Sequence, residues 1–149
     1  MSEHTRIPII KIWHLLLVPL QGQIDDELAE QLRQDVLNRI QHTEVTGLIM
    51  DVTGLWLMDS HLCSVLSQIA SAARLMGSQT VICGMAPEIA LTLMAMGLEL
   101  PNIGTELSLE QALARLGIGV AIEPDAPDSE SFVDSDSEAL VGSAGGQKP

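Results

Sequence analysis

Residues 45–52, VTGLIMDV, are apolar almost throughout and are followed at once by Thr53-Gly54, a turn signal. The run is too short for an independent helix but suits a strand, and a strand this apolar belongs in the middle of a sheet. The neighbouring segments then have to supply the layers that cover it.

They alternate in a way that does so. IPIIKI (7–12) and HLLLVPL (14–20) are short runs of branched residues separated by Trp13, which reads as a two-stranded hairpin. Asp25 and Asp26 offer N-cap chemistry, and Leu28, Leu32, Val36 and Ile40 recur every fourth residue, predicting a helix over 26–41 with Arg39 near its negative end. After the loop LWLMD, helical spacing returns at Leu62, Val65, Leu66, Ile69, Ala73 and Met76 and stops at Gly77, which places Ser60 in the first turn. QTVICGM (79–85) reads as a strand, Pro87 suits a first helical position, and EIALTLMAM predicts a largely buried helix ending at Gly97. Ser108-Leu109-Glu110-Gln111 fits a capping box for a last helix whose stripe is Leu109, Ala112, Leu113 and Leu116, closed by Gly117.

Strand, strand, helix, strand, helix, strand, helix, helix is an α/β arrangement: a small mixed sheet, antiparallel in its first hairpin and parallel thereafter, packed with four helices. The domain is expected over 1–122. Composition then changes, residues 123–149 holding seven acids against the single base Lys148 among Ser, Pro and Gly. Such a segment buries too little apolar surface to offset the entropy of ordering, so a disordered acidic tail is expected.

Charge narrows the function. The net charge of −13 argues against nucleic acid, which is bound by neutralising phosphates, and the only aromatics, Trp13, Trp56 and Phe132, make no stacking platform. No apolar run approaches membrane-spanning length and the start MSEHTR has no signal region, so no membrane association and a cytoplasmic location are expected. Cys63 and Cys83 are too far apart in sequence for a CxxC pair and read as reduced, buried thiols.

In open α/β sheets, function gathers at the carboxyl ends of strands and at helix N-termini, here Asp51, Thr53, Gly54, Asp59, Ser60 and His61. A hydrolase elbow needs glycines flanking its serine, whereas Met58 and Leu62 stand there, and His61, adjacent in sequence, points elsewhere. A phospho-accepting receiver built on Asp51 needs a late lysine, and none lies between Lys11 and Lys148. His4, His14, His42, His61 and the two cysteines form no zinc-like spacing, and neither GxGxxG nor a Walker lysine is present. The reading is a non-enzyme without cofactor or metal.

The stretch DVTGLWLMDSHLCSVL (51–66) resembles the signature of STAS-domain anti-anti-sigma factors, in which a strand ending in Asp leads through a short loop to Asp-Ser at a helix start. IPIIKIWHLLLVPLQGQIDD, ARLMGSQTVICGM and PEIALTLMAMGLELPNIGTELSLEQAL resemble the short stressosome antagonist, the RsbS type, so that the likeness covers residues 6–117. The resemblance implies a bare STAS domain that forms homo-oligomers or dimers and co-assembles with longer, sensor-bearing STAS paralogues. It implies capture of a GHKL-type switch serine/threonine kinase, release of that kinase on phosphorylation, and a phosphatase that resets the state. Ser60 matches the phosphorylated serine and Asp59 the aspartate before it, while Thr46 does not match the second site of the paralogues. The implied partner surface comprises Asp25, Asp51, Thr53, Gly54, Asp59, Ser60 and His61. A single-partner anti-anti-sigma factor and a ligand-sensing STAS module are the alternatives, and the acidic tail departs from the family's compact pattern.

Overall fold

A computed structural model describes residues 6–118, so the tail and the expected boundary at 122 lie outside the described residues. The chain divides into two units, Met1–Ala112 and Leu113–Pro149. The elements are β1 (Ile10–Ile12), β2 (Leu15–Gly22), α1 (Asp26–His42), β3 (Gly47–Leu55), α2 (Ser60–Leu75), β4 (Gln79–Cys83), α3 (Pro87–Ala95), β5 (Ile103–Glu106) and α4 (Leu109–Arg115).

One five-stranded sheet runs in the order β1-β2-β3-β4-β5, antiparallel between β1 and β2 and parallel elsewhere, as the alternation predicts. Trp13, at φ 53, makes the tight turn of the hairpin. β3 is central, and alternation along the strands sorts its side chains between two faces. Leu16, Val18 and Leu20 of β2, Leu48, Met50 and Val52 of β3, and Ile82 of β4 join one core with Leu32, Val36 and Ile40 of α1 and Leu62, Leu66 and Ile69 of α2. Leu15, Ile49, Val81 and Cys83 are buried on the opposite face. Each fully buried aliphatic side chain contributes about 1.5 to 3 kcal/mol, so these helices are held by their apolar stripes rather than by propensity.

Three expectations need correction. Thr53-Gly54 is not a turn: parallel pairing carries β3 on to Leu55, with Gly54 opposite Gln21 across a register shift in β2. A strand absent from the sequence reading, β5, pairs in parallel with β4 at the sheet edge. The third helix is not largely buried: Ile89 and Leu93 enter the core, whereas Leu91 is 64% and Met94 74% exposed, because a helix apolar around most of its circumference can turn only one face inward.

Candidate functional site

The carboxyl ends of the parallel strands and the N-termini of α1 and α2 form one edge of the sheet. Asp25 caps α1, its carboxylate accepting the Leu28 N–H at 2.8 Å, and Asp59 caps α2 in the same way, accepting the Leu62 N–H at 2.8 Å. Each cap satisfies an N–H that the helix leaves unpaired.

The consequence falls on Ser60. It is the first helical residue and exposed, and because Asp59 does the capping, the Ser60 hydroxyl has no hydrogen-bond partner among the described residues. A first-turn serine ordinarily spends its hydroxyl on the backbone. Here it is left facing solvent.

Asp51 is half-buried in the middle of β3, since the strand runs on to Leu55, and its Oδ1 accepts both the Thr53 N–H at 3.0 Å and the Thr53 hydroxyl at 2.7 Å. Register sets Asp51 beside Cys83 on β4. Burial, and after it the Asp51 charge, pushes the Cys83 thiol up to about 11, and burial alone raises Cys63, so neither cysteine is a ready nucleophile. Both are free and buried, as expected from the sequence.

His61 turns toward α1, where its Nε2 lies 3.3 Å from Glu30 Oε2. Glu30 also holds Arg33, which reaches on to Gln68 of α2, so His61 belongs to a polar seam between the two helices. The expected residues therefore fall into separate groups: Asp51 with Thr53, Asp59 with Ser60, Asp25 at the head of α1, and His61 in the seam. Gly54 is exposed on the extended end of β3.

Beside Ser60 lies a feature that the sequence reading missed. Trp56, Leu57, Met58, Asp59, Ile89 and Met96 line much of a cleft of about 270 Å³, with Glu88 and Thr92 completing it. Trp56 is 75% exposed and Met96 46%. Trp56 in an otherwise aliphatic loop was the available signal. The position of α3 opposite that loop was not legible locally. Among the described residues, no group of three or more His, Cys, Asp or Glu could hold a metal ion, and no helix is long and apolar enough to cross a membrane.

The STAS domain profile matches residues 6–112. The chain is 32% identical over 104 residues to the RsbT co-antagonist protein RsbRD of Bacillus subtilis (strain 168), a match covering 70% of this chain and only 37% of that relative. Among solved structures, RsbS of Moorella thermoacetica in a serine-to-glutamate variant superposes with a TM-score of 0.66 at 31% identity, covering 75% of this chain and 95% of that one. A chain from a structure of the stressosome, described as a signal integration and transduction hub, superposes with a TM-score of 0.61 at 31% identity, covering 73% and 95%. The profile match runs through the central strand, the Asp59-Ser60 helix start and the edge strand β5, and the chain belongs to the STAS-domain family.

Proposed function

We propose that this protein is a stressosome antagonist that works by partner switching: it sequesters a GHKL-type switch serine/threonine kinase and releases it when Ser60 is phosphorylated. It acts by binding rather than catalysis and co-assembles with longer STAS paralogues, and a phosphatase restores the unmodified state. The observation that carries this reading is the exposed Ser60 hydroxyl, left without a partner because Asp59 caps the helix. The relatives support it: one is named a co-antagonist of RsbT, and the RsbS structure carries a serine-to-glutamate change, a replacement that adds negative charge.

Physical chemistry favours such a switch. Phosphorylation adds about −1.5 to −2 charge, which the helix N-terminus stabilises by roughly 0.3 to 1 kcal/mol, so the fold tolerates the modification. A kinase carboxylate held ~6 Å away is repelled by about 5 kcal/mol at an effective dielectric of ~20, so binding is what gives way. The exposed Trp56 and Met96 beside Ser60 offer the apolar anchor that a sequestering surface needs.

The test is incubation of the full chain with an RsbT-type kinase and ATP, followed by mass spectrometric mapping and size analysis of the mixture. Phosphate is expected on Ser60 with loss of the kinase complex. The Ser60→Ala variant is expected to fold and capture the kinase but not to release it. Undiminished phosphorylation of Ser60→Ala, or ATP-dependent release from it, overturns the proposal.

A further inference from the structure

We propose that the cleft where residues 6–9 cross α1 is a docking site for the carboxylates of an acidic segment on a partner chain. It is lined by Arg6, Ile7, Ile9, Asp35, Asn38 and Arg39 and measures about 260 Å³. Asp35, Asn38 and Arg39 lie on one face of the helix, and the segment leading into β1 lies across them.

Charge selects the occupant. In a chain of net charge −13, two guanidinium groups converge on this cleft. Asp35 offsets one of them, its Oδ1 pairing with Arg6 at 3.5 Å and accepting from the Gln31 amide at 3.1 Å, which leaves Arg39 as the uncompensated cation of the lining. Arg39 donates one N–H to the Ile9 carbonyl at 3.3 Å, leaving a planar fork of donors suited to a carboxylate. Other cations are bound elsewhere: Arg33 by Glu30 and Gln68, Arg74 by Asn102, and Lys11 by the Trp13 carbonyl.

The shape points to a macromolecule. A small-molecule pocket encloses most of its ligand, whereas Arg6 here is 65% exposed along its side chain and the cleft is open. Among the described residues the adjoining edge strand β1 pairs only with β2, and it exposes Ile10 at 44%, with Trp13 of the following turn at 73%. Arginine with exposed aliphatic and aromatic side chains further along the same sheet edge is the composition of a protein interface. Arg39 stands about 20 Å along α1 from Asp26, so this surface and the Ser60 surface can be occupied together.

The test titrates the full-length, isotope-labelled protein with hexaglutamate, with hexaglutamine and inorganic phosphate as comparison arms, at about 0.15 M salt. Hexaglutamate is expected to give saturable amide shifts confined to residues 6–10 and 35–39, despite the overall repulsion between two anionic species. Phosphate giving the same saturable shifts at equal concentration would mean a general anion site and overturn the assignment to an acidic segment. Arg39→Gln is expected to weaken binding roughly tenfold, the effect of losing a charge-assisted hydrogen-bond pair. Arg39→Lys, which keeps the charge and the reach toward Ile9, is expected to retain part of it. Shifts that are absent, that spread to Arg74 and Arg115, that appear equally with hexaglutamine, or that persist in Arg39→Gln overturn the proposal.

Discussion

A β-carbon added at Gly84 would stand 2.0 Å from the Thr53 hydroxyl oxygen, and Gly84 itself sits at φ +78. The end of β4 thus closes directly on the residue whose hydroxyl is tied to Asp51. Gly84→Ala is expected to cost about 2 to 4 kcal/mol, combining a left-handed backbone with an overpacked contact. Urea unfolding measures it, and the double variant Gly84→Ala with Thr53→Ala should recover part of the loss, since the oxygen that clashes is gone.

The assignment of the α2 cap can be checked by comparing neighbours. Asp59→Ala is expected to lose about 1 kcal/mol, the usual cost of removing an N-cap. Ser60→Ala should stay within about 0.5 kcal/mol of the parent, as for a surface change that breaks no contact. A larger loss for Ser60→Ala than for Asp59→Ala in thermal or urea unfolding would show that the serine hydroxyl, not the aspartate, caps the helix.

Leu66 is fully buried between α2 and the sheet. Leu66→Ala is expected to cost roughly 2 to 5 kcal/mol through lost burial and the cavity left behind. A loss below about 1 kcal/mol in urea unfolding would contradict this packing.

Cys83 makes stability depend on alkaline pH. Its thiol is held protonated in the folded state up to about 11, against 9.0 for an unperturbed thiol, so the unfolded chain releases this proton first. The contribution is fully present below pH 9.0 and is lost as pH climbs toward about 11. Carbon-13 chemical shifts of Cys83 in a Cys63→Ser background follow the titration directly. Asp51→Asn should lower the midpoint without returning it to 9.0, because burial is the larger cause.

On the functional proposal, Ser60→Asp is expected to weaken kinase capture only in part, since it carries about one charge where a phosphate carries nearly two. Calorimetric titration against the kinase should place it between the unmodified and the phosphorylated protein. An affinity equal to that of the unmodified protein would count against charge repulsion as the basis of release.

The local signals settled most of the framework. β3 and the stripes of α1 and α2 were legible because burial imposes a period on the chain itself. Asp25 and the Ser108 cap were legible because capping joins residues three apart; Ser108 accepts the Gln111 N–H at 3.2 Å, while Gln111 reaches back to the Leu107 N–H at 3.1 Å. Ser60 was legible as a helix start, and the family resemblance singled it out.

What the tertiary structure alone decided depends on partners far apart in the chain. β5, the four residues IGTE, has no apolar run and exists as a strand because β4 offers its unpaired backbone edge. Thr53-Gly54 became strand rather than turn because β2 continues alongside it. Apart from Glu88 and Thr92, EIALTLMAM is apolar around the helix, so its composition could not say which apolar side would face the core; packing turned Ile89 and Leu93 inward and left Leu91 and Met94 in solvent. The neighbours of His61 and Cys83, Glu30 on α1 and Asp51 on β3, follow from helix packing and strand register, which no local window of sequence contains.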